Sequence, residues 1–263
     1  MTDPRLPAEI LDHVVDHLHD AKHTLRSCCL VSKSWIPRTR KYLFADIDLK
    51  MGESLKSWKK TFPDPSTSPG YYTKSLSISL FHQFTAADAE AGGWIRGFSR
   101  VLRLVVGGDP YFPNTLTASL TPFHGFSPIK SLYVNTFIIP PSRVFDFILS
   151  FPLLEDLTVK SCSMPIGIDD LSDSLSTTVQ SSSSPVFSGM LKLSMMRGVK
   201  HIAHGLLSLP DGIRFRELDL TWGEEGDIPL TTEFVERCSH TLESLDVTCK
   251  PRCAYIRYLS LHR

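Results

Sequence analysis

The sequence has 263 residues, 42% hydrophobic and 21% charged, and its 28 basic residues balance its 28 acidic ones, so no net field favours nucleic acid or an anionic membrane. No apolar run approaches the roughly 20 residues that span a bilayer, and the first residues are too polar for a secretory signal. Six irregularly spaced cysteines do not make a disulfide scaffold, and these properties together predict a globular protein of the cytoplasm or nucleus.

The first predicted element is a short amphipathic helix that begins at Pro7. Proline suits the first position of a helix because it lacks the amide hydrogen that would be unpaired there. Glu9 follows in the first turn, where the helix dipole favours a negative charge. The apolar residues recur at helical spacing and form one stripe, which consists of Ile10, Leu11, Val14, Val15 and Leu18.

Two further short helices are predicted before residue 45. One begins near Thr24, a plausible cap, and turns Leu25, Cys28 and Cys29 inward. The other begins or kinks at Pro37 and ends near residue 44. Three helices in about 40 residues are at the limit of what a hydrophobic core stabilises by itself, so we expect this unit to need a neighbour.

These residues resemble an F-box of the type common in fungal proteins. The resemblance lies in Leu-Pro-x-Glu-Ile-Leu from Leu6, the aliphatic stripe, Leu-Val-Ser-Lys-Ser-Trp-Ile-Pro from Leu30, and the closing Leu43-Phe44. It implies that the helices dock on a Skp-type adaptor and, through it, on a cullin–RING ubiquitin ligase. The residues that would form or support the adaptor surface are Leu6, Pro7, Ile10, Leu11, Leu30, Val31 and Trp35. Some of them, Trp35 above all, could instead hold the three helices together.

A strand pattern and a polar stretch separate this unit from the rest of the chain. Residues 45–49 alternate as a short strand does. Residues 50–72 contain three prolines and a Gly-Tyr-Tyr sequence, which indicate a linker with a polar helix remnant. We therefore divide the chain into an F-box-like helical unit over 1–49, a linker over 50–72 and a second domain over 73–263.

The second domain carries a degenerate six-residue repeat. Its central leucine is preceded by an apolar residue three positions earlier and followed by another two positions later, as in Val101-x-x-Leu104-x-Val106. The central leucines are Leu104, Leu132, Leu157, Leu193, Leu218, Leu245 and Leu259, with a weaker first copy at Leu76. The copies are 28, 28, 25, 36, 25, 27 and 14 residues apart, and five of these spacings fall within the roughly 20–29-residue period of leucine-rich repeats. The 36-residue interval contains a serine-rich insertion near 170–188. The last interval, of 14 residues, has no room for a full helix, so we expect the last copy to be an incomplete repeat at the edge of the sheet.

Helical stretches lie between the predicted strands and begin at Pro141 and Thr231. We therefore predict an α/β fold, in which a small three-helix F-box-like unit precedes a curved leucine-rich-repeat-like solenoid with a parallel sheet. A generic α/β domain is the alternative, because short strands alternate with helices there too.

Motifs for catalysis or metal binding are weak. His13 and His17 lie four residues apart on one helical face, a spacing that can bind zinc, but no third ligand is near and a solvated face is the simpler interpretation. Cys249 and Cys253 have no second Cys or His pair close by, and no Gly-x-Ser-x-Gly elbow is present. We therefore expect no enzymatic activity, cofactor or metal.

The predicted function is a substrate receptor of such a ligase. In an arrangement like that of the family, the repeats would hold a protein substrate on the concave face of the sheet, at the outward positions Val105, Tyr133, Thr158, Asp219 and Asp246 and at the flanking Lys160 and Trp222. Partner subunits would transfer ubiquitin, and the receptor would contribute proximity. The alternative is a repeat scaffold without a ligase role, whose N-terminal helices cap the first repeat.

Overall fold

The fold, given by a computed structural model, is α/β. The structure describes residues 7–50, 53–80, 95–108, 123, 128–135, 141–161, 187–194, 197–222, 228–249 and 256–262. The helical stretch at the start of the chain leads directly into a sheet that has helices against one of its faces.

The three predicted N-terminal helices are present. They are α1 (Ala8–His17), α2 (Lys22–Val31) and α3 (Ile36–Leu43), and a short 3-10 turn over Lys33–Trp35 joins the last two. Helix α1 begins at Ala8, one residue later than predicted, so Pro7 is its N-cap and not its first helical residue. Helix α2 begins at Lys22 without a side-chain cap, so Thr24 lies inside its first turn and is not its cap.

The N-terminal helices have a small core of their own. Val15, Leu25 and Cys28 are buried there, and none of them belongs to the core of the sheet, which includes only residues from Leu49 onward. Thr39 is also fully buried: its hydroxyl donates to the Trp35 carbonyl at 2.8 Å and lies 2.9 Å from the Cys29 sulfur. Because the hydroxyl hydrogen is used by the carbonyl, the Cys29 thiol is the donor in the second contact.

The sheet has nine strands, whose spatial order is their order in the chain. The first eight run parallel to one another, and the ninth is antiparallel to the eighth. The strands are β1 (Asp46–Lys50), β2 (Ser75–Leu80), β3 (Arg103–Gly108), β4 (Ser131–Asn135), β5 (Asp156–Ser161), β6 (Met190–Ser194), β7 (Glu217–Trp222), β8 (Ser244–Cys249) and β9 (Ile256–His262).

Two aliphatic ladders line the covered face of the sheet, and each parallel strand contributes one residue to each ladder. The first ladder is Ile47, Leu76, Leu104, Leu132, Leu157, Leu191, Leu218 and Leu245. The second is Leu49, Ile78, Val106, Val134, Val159, Leu193, Leu220 and Val247. Neighbouring strands therefore bury one another's apolar residues, which a single strand cannot do by itself.

Backbone hydrogen bonds also join successive strands at their N-terminal ends. The Ala45 carbonyl accepts the Lys74 and Ser75 amides at 2.8 and 3.0 Å, and the Lys74 carbonyl accepts the amides of residues 102 and 103 at 2.8 and 3.0 Å. The carbonyls of Leu102, Lys130, Gly189 and Arg216 repeat the same double contact with the next strand. These contacts set the position at which the next strand enters the sheet, except at β6, where the pattern differs.

The covered face of the sheet packs against helices. They are α4 (Glu53–Thr61), α5 (Pro141–Leu149), α6 (Arg197–Leu207) and α7 (Ile228–Cys238). The predicted start at residue 141 is confirmed, whereas α7 begins three residues before the predicted Thr231. Helices α5 and α6 approach so closely that a Cβ on Gly205 would lie 2.8 Å from the Phe145 ring.

The structure corrects two copies of the predicted repeat. Leu191, and not Leu193, is level with Leu157 and Leu218, so the central leucines from residue 76 to residue 245 are 28, 28, 25, 34, 27 and 27 residues apart. The pattern was misread because Ser188 stands where the other copies have an apolar or threonine residue, and the buried Phe187 precedes it. The copy at Leu259 lies on the antiparallel β9, so it does not continue the parallel array.

Strand β1 belongs to the same array, because it pairs in parallel with β2 and places Ile47 level with Leu76. The stretch 50–72 that follows contains α4 and a 3-10 turn over Pro69–Tyr72. Helix α4 contacts β1, α3 contacts residues 69–72, and the Trp58 ring lies 5.4 Å from that of Phe98. The N-terminal helices are therefore attached to the first strands through α3 and α4.

Candidate functional site

The first candidate surface is apolar and lies on α1 and α2. Eight large hydrophobic side chains are exposed among the described residues, and half of them belong to these two helices. They are Ile10 (47% exposed), Val14 (44%), Leu30 (89%) and Val31 (71%), which we call the α1–α2 apolar set. Contiguous exposed apolar side chains are a feature of interaction sites; Ile10 and Val14 are one helical turn apart on α1, and Leu30 and Val31 are adjacent at the end of α2.

The apolar stripe of α1 is divided between two faces. Val15 is buried, and Leu11 and Leu18 are half-buried, so these three face the other helices. Ile10 and Val14, one turn apart, face outward. The stripe is thus wider than the face that the helical unit itself can cover.

The predicted adaptor residues fall into three groups. Pro7, Ile10, Leu30 and Val31 are exposed, whereas Leu11 and Trp35 are half-buried and contribute to packing. Leu6 lies outside the described residues. Val14 was missed, although its spacing of four residues from Ile10 could have identified it.

A polar network fixes α1 against α3. The Asp16 carboxylate accepts hydrogen bonds from Arg38 Nε at 2.7 Å, from Arg38 Nη2, and from the Tyr42 hydroxyl at 2.7 Å. The hydrogen bonds from Arg38 hold the pKa of Asp16 well below its usual range, and the hydrogen bond to Asp16 raises the pKa of Tyr42. The network therefore orients α1 and, with it, Ile10 and Val14.

The polar network lies next to the His13 and His17 pair on α1. Asp16 is engaged by Arg38, and a ring nitrogen of His17 lies 2.8 Å from the His13 backbone carbonyl. Within the ranges that the structure describes, no three His, Cys, Asp or Glu side chains are grouped to hold a metal ion. The Cys249 side chain and Cys253 lie outside the described residues.

The second candidate surface is the exposed face of the sheet. One residue from each parallel strand forms a row across it, which we call the central row: Asp48, Ser77, Val105, Tyr133, Thr158, Lys192, Asp219 and Asp246. The predicted substrate residues Val105, Tyr133, Thr158, Asp219 and Asp246 all lie in this row. Lys192 is absent from the predicted substrate residues because the repeat pattern centres the β6 copy on Leu193, two residues after the observed centre at Leu191.

Two contacts organise the charged side chains of this face. Lys160, another predicted residue, follows Thr158 on β5 and places its Nζ 5.5 Å from the centroid of the Tyr133 ring, within cation–π range. Lys192 donates to the Asp219 carboxylate on the neighbouring strand. Both lysines are therefore anchored along the sheet.

Trp222 does not lie on this face. It follows Leu218 and Leu220 at alternate positions of β7, so its side chain points to the covered face, where it is only 3% exposed. Its indole Nε1 has no hydrogen-bond partner among the described residues. The prediction that Trp222 contacts a substrate on the outward face is therefore corrected.

Comparison with known proteins does not identify this chain. The sequence matches no protein-family model, and neither the curated proteins nor the solved structures yield a match. None of the described helices combines the length and the apolar character needed to cross a bilayer. A functional proposal therefore rests on the two surfaces of the chain itself.

Proposed function

We propose that this chain is a non-enzymatic substrate receptor of an SCF-type cullin–RING ubiquitin ligase. In this proposal α1–α3 form an F-box-like unit that binds a Skp-type adaptor, and the sheet array binds a protein substrate. The observation that carries the proposal is the exposure of the α1–α2 apolar set in a unit whose sequence resembles an F-box. Burying one such side chain fully is worth roughly 1.5–3 kcal/mol, so a partner that covers the set would gain substantial binding free energy.

We further propose that the array is a leucine-rich-repeat-like solenoid. The parallel strands follow one another in chain order, and one leucine or isoleucine per strand lies in the first aliphatic ladder. A parallel sheet with an alternating pattern leaves one face polar, and that face is then free to bind a partner. In this role the chain acts in the cytoplasm or nucleus and performs no chemistry, because partner subunits transfer the ubiquitin.

The alternative is an interaction scaffold in which the N-terminal helices are a cap. The contacts of α3 with residues 69–72 and of α4 with β1 favour it, because they lie at the first strands of the array. The exposure of Leu30 and Val31 favours the receptor, since a cap would have its apolar residues covered by the sheet edge.

Adaptor binding by Leu30→Asp tests the receptor proposal. Leu30 is 89% exposed, so a charge there leaves the fold intact but places a carboxylate in an apolar interface. We expect binding to a purified Skp-type adaptor, measured by calorimetry, to weaken about tenfold or more.

The matched control is Leu153→Asp, which makes the same change at a side chain 55% exposed before β5. It is expected to bind the adaptor as the unchanged chain does. If the unchanged chain shows no adaptor binding, or if Leu30→Asp binds equally well with an unaltered melting curve, the scaffold alternative is favoured.

A further inference from the structure

Between β3 and β8, exposed side chains of opposite charge lie at the two ends of the outward face of the sheet; Asp46 and Asp48 lie further away on β1, and Asp156 on β5 is engaged by the Met190 amide. Arg103 on β3 and Lys160 on β5 are exposed on either side of Tyr133, and we call these three residues the basic–aromatic region. On β7 and β8, Glu217 and Asp246 are exposed, and we call them the acidic region.

Lys192 separates the two regions. Asp219 and Asp246 are level on adjacent strands, where like charges repel each other. The hydrogen bond from Lys192 neutralises Asp219, but Glu217 and Asp246 have no ion-pair partner among the side chains that the structure describes, which do not include those of β9. Among the described side chains, the acidic region therefore keeps its negative charge and can attract a cation.

The distance between the regions sets the spacing that a ligand needs. Neighbouring strands are about 4.8 Å apart, so β5 and β8 are separated by about 14 Å. An extended peptide advances about 3.4 Å per residue and covers that distance in about four residues. An extended segment that crosses the strands can therefore reach both regions with charges about four residues apart.

We infer that the exposed face binds an extended segment of a partner protein that carries an acidic residue and, about four residues away, a basic residue. The acidic residue pairs with Arg103 and Lys160, and the basic residue pairs with Glu217 and Asp246. A uniformly charged segment meets like charge in one of the two regions, which disfavours it. The inference rests on the proposal that the sheet carries the substrate, and it adds the charge pattern of that substrate.

The test uses three labelled peptides of equal length. One has two glutamates and two arginines separated by a three-residue Gly/Ser spacer, so that the nearest opposite charges are four residues apart; in the controls both ends are glutamates or both are arginines. At low ionic strength we expect fluorescence anisotropy to show the mixed-charge peptide binding about fivefold tighter than either control.

A charge-reversed variant makes the test specific to the face. In Glu217→Lys/Asp246→Lys the acidic region becomes basic, so the preference should change to the doubly acidic peptide. The matched control is Asp146→Lys/Glu236→Lys, which makes the same charge change at exposed positions of α5 and α7 on the other side of the sheet. It should keep the original preference.

Four results would overturn the inference: no binding of any peptide, equal binding of all three, an unchanged preference in Glu217→Lys/Asp246→Lys, or a changed preference in the control variant. Adaptor binding by the same proteins separates this outcome from the receptor proposal. A peptide preference without adaptor binding leaves the charge assignment and removes the ligase role. Adaptor binding without a peptide preference leaves the ligase role and removes the charge assignment.

Discussion

One carboxylate, Asp16, connects α1 to α3 through two side chains. Arg38 reaches it with two nitrogens and Tyr42 with its hydroxyl, while Asp12, 3.7 Å from Arg38, adds a looser ion pair. A bidentate arginine contact fixes geometry better than a single ion pair does. Since these groups are partly exposed to solvent, their main contribution is to orient α1.

Replacing Asp16 with Asn is expected to destabilise the N-terminal helices near neutral pH but not in acid. The folded pKa of Asp16 lies below its ordinary value of about 3.9, so its stabilising contribution is complete above that value. The contribution is lost as the pH falls through the lowered pKa. Urea unfolding followed by circular dichroism should show a difference between the two proteins at about pH 7 that shrinks below about pH 4.

The matched variant is Asp12→Asn, which removes only the longer ion pair and should have a smaller effect. A difference between Asp16→Asn and the unchanged chain that stays constant down to pH 2 would contradict the linkage to the carboxylate. So would a larger effect of Asp12→Asn.

Strand β6 enters the sheet differently from its neighbours. The Glu155 carbonyl accepts only the Gly189 amide, at 3.1 Å, and the Met190 amide donates instead to Asp156 Oδ1 at 2.9 Å. A Cβ on Gly189 would lie 2.0 Å from that same oxygen, so the contact requires glycine. The carboxylate thus positions β6 after the longest spacing in the array, 34 residues between Leu157 and Leu191.

Gly189→Ala and Asp156→Ala are expected to destabilise the protein, and the double variant should lose less than the sum of the two. Alanine at 189 collides with the carboxylate, whereas alanine at 156 leaves the Met190 amide unpaired, at a cost of about 1–3 kcal/mol. Urea unfolding of the unchanged chain, the two single variants and the double variant gives the coupling free energy of this double-mutant cycle. Additive losses would mean that the two residues act independently.

Gly107→Ala is the control for this cycle. A Cβ on Gly107 meets nothing within 4 Å, so the same substitution three strands earlier, on β3, should be neutral or slightly stabilising.

The stability of the whole array comes from contacts between neighbouring strands. The inward residues of β2–β7 are buried, whereas Leu245 and Val247 on β8 are only half-buried against the core. In an array of this kind, stability is a sum of local contributions and strand-to-strand contacts. The middle of the array should therefore unfold with a higher free energy than the end near β8.

Leu132→Ala and Leu245→Ala test this difference. They are the same substitution in the same ladder, but Leu132 is 1% exposed and lies between two buried strands. We expect Leu132→Ala to lower the unfolding free energy by roughly 2–5 kcal/mol and Leu245→Ala by clearly less. Equal losses in urea titrations would contradict the local model.

Local periodicity was sufficient to predict much of this protein. Helices α1–α3 and α5, the strands that alternate between buried and exposed residues, and the α/β class follow from spacings of about four and two residues, which depend only on neighbours in the chain. The same alternation identified five of the eight residues in the central row.

Contacts between distant residues decided the rest. The register of β6 depends on the contact between Asp156 and the Met190 amide beside Gly189. The direction of β9 depends on its pairing with β8, and the burial of Trp222 depends on the packing of the covered face of the sheet. A repeat pattern fits two adjacent registers of a leucine-rich strand equally well, and it contains no information about strand direction. Likewise, the stripe of α1 showed which residues are apolar, but only packing against α3 determined that Ile10 and Val14 remain uncovered.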